Sequence, residues 1–194
     1  GNTLGCVEDD DVKVSQHFCA LQLSHADVVR VLNALAVASV VTDPHNPQIV
    51  ANGGPADLRA LAGTLGHRSR SRQVLLARLS SGVALIAKPS ALHVPPWQLV
   101  SSELGGTALR TATWWAAPRI ASTTGSEDIG CWDDSLGRPG AVQIATGGQW
   151  DGTRFSLRGG PGADDNHAKI GVSIAAGAAD YVIFGDLNQQ GALS

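Results

Sequence analysis

Near the C-terminal end, within residues 164–190, two short apolar runs are bounded by side chains that bind anions or move protons. This stretch limits the fold more than any other part of the sequence. The first run follows Asp164-Asp165-Asn166-His167-Ala168-Lys169, and the second, Tyr181-Val182-Ile183-Phe184, ends in Gly185-Asp186-Leu187-Asn188. Side chains two residues apart on a strand project from one face, so the His167 imidazole and the Lys169 ammonium are expected to meet the same ligand. Gly185 lets backbone approach a ligand closely, and Asp186 and Asn188 add polar side chains behind it. Two adjacent strands ending in His, Lys and Asn make an anion pocket, and a phosphodiester is the expected anion. A His-x-Lys triplet alone arises by chance in many chains; the companion at strand-pairing distance gives it weight.

His167-Ala168-Lys169 followed by Gly185-Asp186-Leu187-Asn188 resembles the phospholipase D superfamily, whose pattern is His-x-Lys and then Gly-Ser-x-Asn, with Asp186 here in place of the serine. The acidic residues before the histidine, the run from Phe184 to Gly191, and Leu104-Gly105-Gly106-Thr107 leading to Trp114-Trp115 are similar to the deoxyribonuclease II branch. The resemblance spans about half of the chain and is most specific in its last part. Members of the superfamily build one active site from two His-x-Lys elements. Of the six histidines here, His17, His25, His45, His67, His93 and His167, only the last has lysine two positions later.

The second element is therefore expected from an N-terminal fragment of the same protein or from another subunit. The opening Gly1-Asn2-Thr3-Leu4-Gly5-Cys6-Val7 resembles the strand just after the first His-x-Lys of the family, which makes Asn2 a substrate-binding candidate, and no methionine occurs anywhere. On this reading the chain is the larger, C-terminal piece of a processed protein. Residues 1–18 would close the first phospholipase D-like half, and residues 19–194 would form the second, which carries His-x-Lys.

Composition agrees with a packed protein whose charge depends on pH. Residues of hydrophobic type make up 43% of the 194 positions, enough for a proper core. No apolar run reaches membrane-spanning length. The three cysteines, Cys6, Cys19 and Cys131, are odd in number and spaced unlike a zinc site, so one is expected to pair outside the chain. A net charge of −3 at pH 7 disfavours nucleic acid, but protonation of all six histidines in acid would turn it to +3.

Taken in order, Ser24-His25-Ala26-Asp27 predicts a capping box, with Val28, Val31, Leu32 and Leu35 following at helical spacing and His25 on the surface. Asn52-Gly53-Gly54-Pro55 leads a second helix with Leu58, Leu61 and Leu65 inward. Arg68, Arg70 and Arg72 alternate with serines; a solvated loop is the expectation, with phosphate gripping as the alternative. Residues 74–79 and 83–87 flank Ser80-Ser81-Gly82 and predict an antiparallel hairpin with both strands in the core. A helix starts at Pro95-Pro96-Trp97 and stops near Gly105-Gly106. Residues 109–115 form the next strand, whose paired tryptophans pack in the core or stack on bases. Residues 120–140 form a long loop in which Asp133-Asp134 is a solvated turn. A strand over 141–146 and a hairpin closed by Asp151-Gly152 follow. Gly159-Gly160-Pro161-Gly162 lacks the lysine of a phosphate loop and is the approach to the site.

This pattern predicts an α/β sandwich with a mixed central sheet and helices on both faces, as the resemblance also implies for the second half of a pseudo-dimer. The resemblance further implies an acid, metal-independent endonuclease that hydrolyses DNA, in a secreted, periplasmic or lysosome-like compartment. It needs no cofactor, takes His167 and Lys169 as catalytic residues, and holds substrate on Asn188, Asp186 and Asn2. In that chemistry one histidine forms a phosphoenzyme and the other is the general acid; His167 is expected to be the acid. The alternatives are a phospholipase D-like lipid phosphodiesterase, for which no strong membrane-binding segment is visible, and a catalytically inactive binding module of the same fold.

Overall fold

The computed structural model describes residues 19–40, 54–115, 120–160, 165–174, 180–185 and 187. The expected first segment, 1–18, lies outside the described residues; within the rest, contacts set Ala20–His93 apart as one unit and group Cys19 with Val94 onward.

In the first unit, Ala20–His93, the Ser24 hydroxyl accepts the Asp27 N–H at 3.2 Å and opens α1 (His25–Val37). The reciprocal half of the capping box does not form. Instead the Asp27 carboxylate, 1% exposed, accepts the Ser80 N–H at 3.1 and 3.2 Å, the Ser80 hydroxyl, the Ser24 hydroxyl at 2.9 Å and the Arg30 guanidinium at 2.8 Å. These donors, the Ser80 hydroxyl first, hold the carboxyl down at about 2. His25 is exposed as expected, and its Nε2 lies 2.7 Å from Asp57 at the start of α2 (Ala56–Ala62).

Strands β1 (Leu75–Arg78) and β2 (Ala84–Ala87) pair antiparallel in register Leu75↔Ala87 to Arg78↔Ala84, closed through Gly82 at φ 88°. The expectation that both strands are buried fails. α1 packs on this hairpin, and burial alternates along β1, leaving Leu76 57% exposed, while in β2 only Ala87 is fully buried. The serines between Arg68, Arg70 and Arg72 make local turns, with Ser71 N–H on the Ser69 hydroxyl and Gln73 N–H on the Ser71 hydroxyl, which is the loop expected.

The second unit starts at Val94. Pro96 sits in the first turn of α3 (Pro96–Glu103), where its missing N–H costs nothing, and Gly105 and Gly106 follow at φ 70° and 78°. The sheet strands are β3 (Leu109–Ala112), β4 (Val142–Ile144), β7 (Ile170–Ser173) and β8 (Val182–Phe184); β5 (Gly147–Trp150) and β6 (Thr153–Ser156) form a separate two-stranded ribbon. The sheet order is β4-β3-β7-β8, with β3 and β4 parallel and the other pairs antiparallel. The buried face holds Trp97 of α3 with Leu109, Val142 and Ile144. Trp97 packs directly over Gly171, where an added Cβ would lie 2.8 Å from the indole ring. Arg110, Gln143, Val172 and Val182 face the opposite side and are exposed.

The fold is thus α/β, with mixed strand pairing and few helices. Among the described residues no helix is long and apolar enough to cross a membrane. In the 120–140 loop the Asp133 carboxylate accepts the Ser135 N–H at 3.1 Å and its hydroxyl at 2.7 Å, which makes the expected turn. No cluster of His, Cys, Asp and Glu able to hold a metal occurs among the described residues. Cys19 and Cys131 are exposed free thiols, and Cys6 lies outside the described residues.

Candidate active site

The alternation expected for His167-Ala168-Lys169 is corrected by the structure, because β7 begins only at Ile170. The cause is Asn166. Its side-chain oxygen accepts the Ala168 N–H at 3.0 Å, an Asx-type turn that removes this amide from any strand ladder. The side-chain nitrogen donates to the Thr113 carbonyl at 3.3 Å and the Leu157 carbonyl at 3.2 Å, and the Asn166 N–H donates to the Arg158 carbonyl at 2.9 Å. Asn166 is 6% exposed, so these bonds replace water and tie the segment before β7 to both β3 and the exit of β6.

That anchor sets His167. Its Nε2 lies 2.8 Å from the Gly160 carbonyl, and a carbonyl only accepts, so Nε2 carries the hydrogen and Nδ1 is the nitrogen left for proton transfer. The Trp114 indole meets the imidazole edge-on, with ring centroids 4.5 Å apart and an interplanar angle of 88°. The two tryptophans therefore split: Trp114 braces the histidine and Trp115 packs against the core. The glycines before the site are there for close approach. A Cβ at Gly159 would sit 2.7 Å from the Trp114 ring, and one at Gly160 would overlap the Asp165 carboxylate.

Lys169 lies two residues on, just before β7, and is 7% exposed. Its carbonyl accepts the Gly185 N–H at 2.7 Å, which extends the Ile170↔Phe184 register by one pair and sets Lys169 opposite Gly185. Both strands expected to end at the site are adjacent, and because they run antiparallel their chemistry-bearing ends meet at one end of the sheet. Asp186, Asn188 and Asn2 lie outside the described residues. Within the described residues the arrangement offers one oriented imidazole, able to transfer a proton, with the buried Lys169 two residues along the chain.

Two contributors are missing from the reading of the sequence alone. Asn166 belongs to the motif, and its signal is that Asn one residue before a candidate catalytic residue is a turn former whose side chain competes for backbone N–H groups. Trp114 gave no separate signal, because nothing local distinguishes it from Trp115. No protein-family model, curated protein or solved structure matches this chain.

Proposed function

We propose that the chain supplies one half of a two-histidine, metal-independent site that hydrolyses DNA phosphodiesters in acid, on a phospholipase D-like sandwich of which it forms the second half. The observation that carries this reading is the His167 ring fixed through Nε2 by the Gly160 carbonyl, with Lys169 opposite Gly185 at the same end of the sheet. A phosphodiester repels nucleophiles until its oxygens are neutralised. Lys169 and Asn188 hold those oxygens, with Asp186 and Asn2 as further substrate contacts. The histidine of a second His-x-Lys, from an N-terminal fragment of the same protein or another subunit, attacks phosphorus. His167 delivers the Nδ1 proton to the departing oxygen, and water then cleaves the phosphohistidine with His167 as base. With Nε2 committed to a carbonyl, acting as an acid requires the doubly protonated ring, which a secreted, periplasmic or lysosome-like acidic compartment favours.

A catalytically inactive binding module is the competing reading, and the single His-x-Lys in the sequence favours it. Plasmid nicking by the intact preparation, paired with its intact mass, separates the two. An active enzyme contains a second His-x-Lys polypeptide or subunit and loses about 100- to 10,000-fold in rate on His167→Ala. Nicking that survives His167→Ala refutes the proposal. Parallel assays on phosphatidylcholine vesicles distinguish a lipid phosphodiesterase.

A further inference from the structure

The β5–β6 ribbon packs little of its own surface and carries two faces of different chemistry. Its register, Gly147↔Ser156 to Trp150↔Thr153, puts Trp150 and Phe155 on one face with Gly148 and Thr153, and Gln149, Arg154 and Ser156 on the other. Trp150 is 80% exposed and Phe155 48%, and the Phe155 ring lies against Gly148, where a Cβ would come 2.5 Å from it. A tryptophan this exposed buries almost none of its apolar surface, so the fold gains little from it. The turn, Asp151 at φ 45° and Gly152 at φ 77°, holds the two strands as one stiff ribbon.

Charge points to the partner. In a chain of net charge −3, the ribbon and its exit carry Arg154 and Arg158 against the single Asp151. At its base Gly147 shares an open hollow of about 440 Å³ with Arg110, whose guanidinium forks onto the Gln143 side-chain oxygen Oε1 at 2.9 and 3.1 Å. Exposed rings on one face, with Arg154 on the other and Arg158 at the exit, suit a single strand of nucleic acid that stacks its bases on the rings and carries its phosphates round the edge of the narrow ribbon, since every base offers a π-face and the backbone offers anions. A lipid surface fits worse, because Asp151 at the tip would enter it first and only one face of the ribbon is apolar. The ribbon also leads into the site. Three residues lie between Ser156 and Gly160, whose carbonyl holds His167, a backbone reach of about 14 Å at most over the four steps.

We infer that the β5–β6 ribbon is a stacking platform for single-stranded DNA, with bases on Trp150 and Phe155 and phosphates on Arg154 and Arg158, and that it presents the strand to the His167 site. The inference deepens the phosphodiesterase reading and rests on it for the choice of DNA.

The test uses the full protein carrying His167→Ala, in chelator at about pH 5, with a fluorescently labelled oligothymidylate of about 20 nucleotides as probe. Binding is expected to quench tryptophan emission, and adding Trp150→Ala is expected to weaken affinity about 5- to 150-fold, the range for loss of one stacked base. Trp150→Phe should recover most of that loss. In the active background, Trp150→Ala should raise KM for plasmid nicking with little change in kcat. If the wild-type protein nicks plasmid while Trp150→Ala binds the oligonucleotide unchanged, the platform is wrong and the enzyme reading stands. If the wild-type protein neither binds nor nicks DNA, both fail. Quenching by phosphatidylglycerol vesicles without any by the oligonucleotide overturns the inference in favour of a membrane contact.

Discussion

Replacing Asn166 by alanine tests whether the site is held by the anchor seen in the structure. Truncation removes three side-chain hydrogen bonds, to the Thr113 carbonyl, the Leu157 carbonyl and the Ala168 N–H. At a net contribution of about 1 kcal/mol each the loss is about 3 kcal/mol, and the buried N–H left without a partner takes it towards about 5 kcal/mol. Asn166→Asp is the sharper variant. It keeps the acceptor for Ala168 but points a carboxylate oxygen at two carbonyls. Its folded-state pKa should therefore be raised, so its stability deficit should be smallest in acid and grow as pH rises through that pKa. Urea denaturation followed by near-ultraviolet circular dichroism, at about pH 4 and about pH 7, gives both numbers. Plasmid nicking by the same proteins reports whether His167 has lost its place. An Asn166→Ala protein within about 0.5 kcal/mol of wild type, with unchanged activity, would refute the anchoring argument.

Asp27, held at about 2 by its donors, contributes stability that is complete above the ordinary carboxylate range and is lost as pH falls from about 4 towards 2; thermal melts across that window should show a decline that Asp27→Asn removes, and a wild-type melting temperature flat over the window would contradict the burial network. Gly171→Ala drives a Cβ to 2.8 Å from the buried Trp97 ring and 3.4 Å from Thr111, so overpacking should cost about 1–3 kcal/mol, or about 2–12 °C in melting temperature by calorimetry. The proposed proton transfer gives a bell-shaped rate profile with an acidic optimum, and nicking should persist in excess chelator while weakening with salt. An alkaline optimum or full loss on chelation would take His167 out of the mechanism.

The elements legible in the sequence are those whose cause lies within a few residues. Ser24 caps α1, Pro96 opens α3, Asp151-Gly152 closes the ribbon, and the run before Gly185 pairs with the run after Lys169. What was not legible depends on partners far away in sequence. Asp27 has the position of a capping residue, but its carboxylate is taken by Ser80, 53 positions on. Asn166 reaches back 53 positions to Thr113, and that reach anchors the turn whose bond to the Ala168 N–H delays β7 past the proposed catalytic pair. The strand expected over 109–115 ends at Ala112, so Trp114 and Trp115 lie beyond it and strand alternation does not assign their roles. His167 and Lys169 were recognisable as chemistry, but the carbonyl that fixes the imidazole was not.

The position of β8 has a dynamic consequence. Among the described strands β7 is paired on both sides and β8 on one, and Val182 and Phe184 are 65% and 49% exposed. Little apolar burial opposes detachment of this edge, so its opening free energy falls well below that of the whole unit. Lys169 is bonded through its backbone to Gly185 at the end of that strand. Amide exchange should therefore be fastest along β8, and the ammonium's support should loosen with it on warming. The proposed nicking activity would then fall in a temperature range where calorimetry still finds the protein folded, and a ligand bridging Lys169 and the Gly185 backbone would slow exchange along the whole edge.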